Sequence, residues 1–229
     1  MKRIICFDIE TTGLEYNRGD RVIEIGAVEI IDGKITDNSF HEYINPEGKI
    51  IPPDTYEVHK ISNAFLEDKP KMSEIAPKFL EYIGTSPIVA HNGFDFDFPF
   101  VNHELAKLNL PIIPREQQMD SIVIARNRVF GPKSYSLDAL AKWYGISLTA
   151  RADAHGALID SEILAKVYLE LDNETPAPDI SEIIAKQHAA MLAHPKIGQN
   201  FPYRKYEPNA DELENHEKFI KKITAEKKK

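Results

Sequence analysis

Two carboxylates end an apolar run near the start of the chain, in Phe7-Asp8-Ile9-Glu10-Thr11-Thr12-Gly13-Leu14. Side chains of a strand alternate between faces, so Asp8 and Glu10 project to the same side. Like charges on a buried strand repel each other and lose hydration, a cost that cations or protonation commonly offset. A second concentration, His91-Asn92-Gly93-Phe94-Asp95-Phe96-Asp97-Phe98-Pro99-Phe100, follows a short apolar strand and leads into a helix. Ligands of open α/β sheets gather beyond the carboxyl ends of the strands, where both segments would lie. Phe98 and Phe100 suit core packing, whereas His91 and Asn92 suit a loop hydrogen-bond network and substrate contact about equally. The third segment, His155-Gly156-Ala157-Leu158-Ile159-Asp160-Ser161-Glu162, opens the last long helix, with Asp160 one turn in. Taken singly, His155 reads as a cap or surface residue and Asp160 as an answer to the helix dipole.

Taken together, Asp8, Glu10, an aspartate of the second segment, Asp160 and His155 form the set that hydrolytic phosphoryl transfer needs. Hard oxygen ligands hold Mg²⁺ or Mn²⁺, and two such cations stabilise both the attacking and the leaving oxygen of an in-line displacement. A histidine, with an unperturbed pKa of ~6.5, can take the proton of an attacking water. No Cys/His cluster points to zinc, and no GxxxxGK[ST] or GxGxxG points to a nucleotide cofactor.

The elements that must position these groups follow from periodicity and breakers. Strands are expected at 2–9, 21–31, 35–44 and 87–90, with Pro, Gly and Asp at the turns. Helices are expected at 73–82, 98–108, 121–128, 136–144 and 155–171, separated by Pro111, Pro114, Gly131-Pro132 and Gly145. Strands first, then alternating helices and strands, indicate a mixed α/β layer domain. The polar stretch 172–179 contains Pro176 and Pro178 and reads as a linker that divides a domain, 1–171, from a tail, 180–229. The tail has an amphipathic helical pattern at 210–223 and too few large apolar residues for a core of its own.

Bulk properties bound the function. A hydrophobic content of 42% over 229 residues is enough to bury a core. The net charge of −8 argues against a wide basic surface for nucleic acid. All of the excess falls before Asp172, because residues 172–229 carry ten residues of each sign. If that first part handles phosphates, cations or a partner must supply the attraction. The single cysteine, Cys6, offers no disulfide framework and fits a buried hydrophobe in a reducing, cytoplasmic compartment. Only Ile4 to Phe7 are apolar before Asp8, too few for a signal-peptide core or a membrane span.

Phe7-Asp8-Ile9-Glu10-Thr11-Thr12-Gly13, the His91-Asn92 segment with its Phe96-Asp97, and His155-x-x-x-x-Asp160 resemble the three motifs of the DEDDh exonuclease family. Val22 to Glu29, Val58-His59-Lys60-Ile61, Asp120-Ser121, Ser136 to Leu140 and His155 to Leu158 extend the resemblance to that family's epsilon-subunit branch, the proofreading subunits of bacterial DNA polymerase III. A sister subfamily carries Tyr one place later than this histidine, where Gly156 stands, so the histidine type matches better. The resemblance implies a ribonuclease H-like α/β fold, a mixed sheet flanked by helices. It also implies removal of mispaired nucleotides from DNA 3′ ends with two divalent cations. Asp8, Glu10, Asp97 and Asp160 would be the metal ligands and His155 the general base. The family's aspartate falls five residues after the motif histidine, where this chain has Phe96 between Asp95 and Asp97. Phe96-Asp97-x-x-Phe100 and Glu104 keep the downstream spacing if one residue is inserted, which selects Asp97. Leu14, Val58, His59, Asn92 and Phe96 are the implied contacts to the terminal nucleotide, with Lys60 where relatives often carry Gly.

The tail segments Tyr203 to Tyr206 and Asn209 to Glu217 resemble the part of such subunits that binds the polymerase catalytic subunit, against the plainer reading of a solvated amphipathic helix. A sliding clamp stays open as a further partner, since Gln187 and Gln199 lack a convincing clamp motif. Two other functions compete. One is an RNA- or oligonucleotide-trimming enzyme of the same chemistry, which the tail disfavours. The other is a non-catalytic scaffold that stabilises a polymerase, which the retained acidic set and histidine disfavour.

Overall fold

β-branched and aromatic residues at alternate positions of the first strand give it two apolar faces, and the fold is layered on both. The computed structural model describes residues 2–151 and 155–174. Its strands are β1 (Arg3–Thr11), β2 (Val22–Ile31), β3 (Lys34–Tyr43), β4 (Ile88–Ala90) and β5 (Gln118–Asp120). They form one mixed sheet in the order β3-β2-β1-β4-β5. The first three are antiparallel neighbours, joined between β2 and β3 by the tight Asp32-Gly33 turn, in which both residues have positive φ. β4 runs parallel to β1 and β5 parallel to β4, so the carboxyl ends of β1, β4 and β5 open on the same edge.

Ile5, Phe7 and Ile9 of β1 enter one core, against α3 (Met72–Ile83) and α4 (Asp97–Lys107). Phe98 and Phe100 are buried there, and Phe7 packs against Phe79 and Phe98 with ring centroids 5.8 and 5.4 Å apart. Ile4 and Cys6 enter the other core, with α5 (Ser121–Arg128), α6 (Leu137–Trp143) and α7 (Ala157–Asn173). Asp8 and Glu10 continue the parity of Ile4 and Cys6, so strand alternation turns both carboxylates towards the α7 side.

Two short helices, α1 (Pro53–His59) and α2 (Asn63–Leu66), and the three-residue β5 lie where no element was expected. Pro53 occupies the first turn of α1, a position that needs no hydrogen-bond donor. β1 runs to Thr11, past the expected end at Ile9, so Glu10 is held in the sheet. α7 begins after His155 and continues through Asn173, two residues into the stretch read as linker. Residues 175–179 of that stretch and the tail at 180–229 lie outside the described residues.

Candidate active site

Asp160 owes its position to Gly26. The start of α7 crosses β2 so closely that a Cβ at Gly26 would lie 2.2 Å from the Ala157 carbonyl carbon. Ser161 Oγ donates to the Gly26 carbonyl at 2.8 Å and pins the first turn there. The helix is thereby set against the sheet with Asp160, only 3% exposed, facing the end of β1. His155 lies in the loop just before α7, and its backbone N–H donates to the Val58 carbonyl of α1 at 3.2 Å.

Asp97 comes from the end of β4 by a sharp loop. Asn92 takes a left-handed conformation, φ 58°, and its carbonyl accepts from the backbone N–H groups of Asp95 and Phe96. Asp120 braces the turn, accepting from the Phe94 N–H at 3.1 Å while capping α5 through the Ile122 N–H at 2.8 Å. His91 Nδ1 pairs with Ser121 Oγ at 2.8 Å, and burial pushes the imidazole pKa down to about 4. Of the two readings for His91, the structure shows the loop network. Asp97 is 2% exposed, whereas Asp95 is exposed.

One ligand atom each of Glu10, His155 and Asp160 lies within 4.8 Å of the others. Asp8 stands among them: burial raises its pKa well above the carboxylate range, with further contributions from Asp97, Glu10 and Asp160 in that order. Some of the Asp8 surface still meets solvent, but its charge is enclosed by three other carboxylates. Burial pushes Glu10 up to about 8, aided first by Glu24, its cross-strand neighbour. Asp97 is also pushed up to about 8 by burial, against the pull of backbone N–H groups at Asp97 and Ile9. Burial raises Asp160 too, opposed by Arg151 and His155. Four carboxylates in this condition carry more negative charge than the protein around them balances. Asp97 Oδ1 and Asp160 Oδ1 are buried without a hydrogen-bond partner. Asp160 Oδ1 has a charge contact from Arg151 Nε at 2.8 Å, whereas Asp97 Oδ1 has no hydrogen-bond partner, and hard carboxylate oxygens gathered at the mouth of a sheet fit divalent cations such as Mg²⁺ or Mn²⁺.

Glu10 also lines an adjoining cleft of about 420 Å³ with Thr12, Leu14, Val58, His59 and Phe96. Leu14 and Val58 are 80% and 49% exposed. His59 is buried, its Nδ1 accepting from the Ile61 N–H at 3.0 Å. Four of the five expected nucleotide contacts thus share one wall system. Asn92 is not among the cleft's lining residues and serves the turn instead.

Sequence reasoning missed Arg151 and Asp138. The Arg151 side chain is 12% exposed, with Nε 2.8 Å from Asp160 Oδ1, and it donates to Asp138 Oδ1 and to His155 Nδ1. A basic residue four places before His155 was the available signal, though nothing in the spacing says that it turns inward. Glu24 was also missed: it is 2% exposed and pairs with His41 Nε2 at 2.7 Å behind Glu10.

Among known proteins, the family model described as Exonuclease (RNase T) matches residues 5–168. A DNA polymerase III subunit epsilon of Rickettsia conorii is 38% identical over 228 residues, covering 96% of this chain and 96% of its own. That of Escherichia coli K12 is 40% identical over 177 residues, covering 74% and 71%. Among solved structures, Exonuclease X in complex with 5′ overhanging duplex DNA superposes with a TM-score of 0.57 at 29% identity, covering 74% of this chain and 91% of that one. The residues that converge beyond β1 and β4 fall within the matched span, and the chain belongs to the exonuclease family that includes the epsilon subunits of bacterial DNA polymerase III.

Proposed function

We propose that this protein is a 3′–5′ exonuclease that removes mispaired nucleotides from DNA 3′ ends as the proofreading subunit of a DNA polymerase III. The observation that carries the reading is the convergence of Asp8, Glu10, Asp97, Asp160 and His155, drawn from three separate segments, on one end of the sheet. The relatives named as epsilon subunits support the choice of DNA over RNA, and that of Rickettsia conorii aligns with 96% of the chain, most of the tail included.

In this reading Asp8, Glu10, Asp97 and Asp160 are the ligands of two divalent cations, Mg²⁺ or Mn²⁺. Such cations would neutralise the scissile phosphate and favour both the entering and the departing oxygen. The chain's own groups do the rest. The apolar walls Leu14, Val58 and Phe96 seat the terminal nucleoside in the cleft beside Glu10, which orients its 5′ phosphate towards the carboxylates. His155 takes a proton from the attacking water at its free ring nitrogen as the new P–O bond forms. The bond to the 3′ oxygen of the preceding nucleotide breaks, and a nucleoside 5′-monophosphate leaves. A net charge of −8 is compatible with a DNA partner because bound cations, rather than a basic surface, would meet the phosphates at the site.

Residues 180–229 are proposed to dock on the polymerase catalytic subunit, with Tyr203, Tyr206, Leu213, Phe219 and Ile220 as anchors.

The test is digestion of a 5′-labelled primer with a 3′ mismatch, annealed to DNA, in Mg²⁺, Mn²⁺ or EDTA, beside an RNA strand of the same sequence. Stepwise shortening from the 3′ end on DNA, with none in EDTA, is expected. Preference for the RNA strand would move the protein to the trimming enzymes, and absence of hydrolysis with either cation would refute the reading.

A further inference from the structure

The loop between β1 and β2 carries Leu14, and one side chain near its far end, Asp20, gives it its shape. Asp20 Oδ2 accepts from the Glu15 backbone N–H at 3.0 Å, and Oδ1 accepts from Thr12 Oγ1 at 3.4 Å. The chain thus closes over the carboxylate on both sides of Gly13, so tightly that a Cβ at Gly13 would collide with Oδ2. Behind the loop the helical turn Tyr16–Arg18 rests on α4, with the Tyr16 and Phe100 ring centroids 5.4 Å apart. Leu14 itself is 80% exposed, an apolar side chain held in solvent by its backbone at a cleft that Asp20 also lines. The carboxylate reaches further. Asp20 Oδ1 lies 2.8 Å from Lys49 Nζ, with the two side chains 15% and 35% exposed. Lys49 stands three residues before Pro52, the cap of α1, and α1 supplies Val58 and His59 to the same cleft. Pro52 and Pro53 have fixed φ angles, so the short link from Lys49 to α1 can absorb little movement. One ion pair therefore ties the loop bearing Leu14 to the helix bearing Val58.

We infer that Asp20 is a positioning residue for the terminal nucleoside: it props Leu14 at the cleft and, through Lys49, fixes the separation of Leu14 from α1 before a DNA end arrives. The inference rests on the proposal that this cleft seats the terminal nucleoside, and it involves neither the cations nor the base. An isolated ion pair at the surface contributes little. Asp20 differs because both of its oxygens are engaged, one on the loop it shapes and one shared between that loop and the neighbouring wall. A wall ordered in advance avoids the entropy that a loose loop would lose on binding, so the effect falls on affinity for the DNA end and not on the chemical step.

The test is a double-mutant cycle on the full chain. Release of the first nucleotide from a 5′-labelled single-stranded oligodeoxynucleotide in Mg²⁺ is followed at initial rate over a range of strand concentrations. Wild type is compared with Asp20→Ala, Asp20→Asn, Leu14→Ala and the double variant Leu14→Ala with Asp20→Ala, and thermal melts confirm that each is folded. Asp20→Ala is expected to raise KM on the order of tenfold, the scale of a hydrogen bond to a charged group, and to change kcat less than about twofold. Asparagine keeps the shape but offers one acceptor oxygen in place of two, so Asp20→Asn should fall between wild type and Asp20→Ala. Because Asp20 acts through Leu14, its removal should add little once Leu14 is gone, and the double variant should have a KM within about twofold of Leu14→Ala. A wild-type KM in both Asp20 variants, or a loss confined to kcat, would overturn the inference. So would a tenfold rise that persists in the Leu14→Ala background, the mark of a residue that only stabilises the fold. If Leu14→Ala alone leaves KM at the wild-type value, the assignment of the cleft as the nucleoside seat fails, and the inference falls with it. If wild type does not shorten the strand at all, the exonuclease reading fails first.

Discussion

Asp97→Asn separates the cost of the acidic cluster from its use. The Asp97 carboxyl is 2% exposed and pushed by burial up to about 8 from 3.8. In the unfolded chain it ionises near its ordinary value, so the metal-free fold must either bury the charge or hold a proton that the unfolded state has released. A raised folded-state pKa contributes stability that is whole below about pH 4 and is lost as the pH climbs to about 8. At about 1.4 kcal/mol per pH unit between 3.8 and about 8, the ceiling on that loss is roughly 6 kcal/mol. Protons shared with Asp8 and Glu10 lower the part that belongs to Asp97 to about 2 kcal/mol. Asparagine has the same shape and no charge. In EDTA the variant should therefore match wild type near pH 4 and exceed it by about 2 kcal/mol near pH 8, or about 6 °C in Tm for a domain of this size. Excess Mn²⁺ should reverse the order, because wild type gains the free energy of binding. Thermal and urea melts at about pH 4, 6 and 8, with and without Mn²⁺, decide the matter. A variant that is less stable at pH 8 in EDTA, or a difference that does not grow with pH, would refute the reasoning.

Asp97→Asn should abolish primer shortening while Asp95→Asn, at an exposed position, leaves most of it; the reverse result in the gel assay would put the inserted residue in the wrong place. His155→Ala should retain cation binding by calorimetry and lose about 10²- to 10⁴-fold in single-turnover rate, the usual share of a general base. Gly26→Ala should cost about 1–3 kcal/mol in urea melts, because α7 must move off β2 to admit a methyl group. Its activity should fall further than its stability, since Asp160 moves with the helix. A chain ending at Glu174 should hydrolyse short single strands as the full protein does and fail to co-purify with the polymerase subunit.

The parts of the site built on regular elements were legible in the sequence. Alternation along β1 placed Asp8 and Glu10 on one face, and the long apolar period of α7 fixed Asp160 one turn from its start. Phe98 and Phe100 were recognisable as core for the same reason. What escaped depends on contacts between distant segments or on elements too short to show a period. α1 and α2 have seven and four residues, fewer than an apolar stripe needs, and Pro52-Pro53 looks as much like a loop as a helix start. β5 is three residues that pair only because β4 lies alongside. Arg151 ends a helical turn of only three residues, Thr149–Arg151, and its inward turn is decided by Asp138, thirteen positions earlier, and by carboxylates from other elements. At Asn92 a left-handed turn directs the backbone carbonyl to the following residues, a conformation that composition alone does not reveal.

The main-chain bond from His155 to the Val58 carbonyl joins the cleft wall to the segment bearing the proposed base. Because neither side chain takes part, replacements at position 58 can reshape the seat without lengthening the link. On the proposed reading the link works as a ruler. A chain end that fills the cleft brings its last internucleotide bond to a fixed distance from the imidazole, and bonds further inside the strand lie out of reach. Release of one unit per cut is then a matter of measured length, set by backbone rather than by recognition of any base.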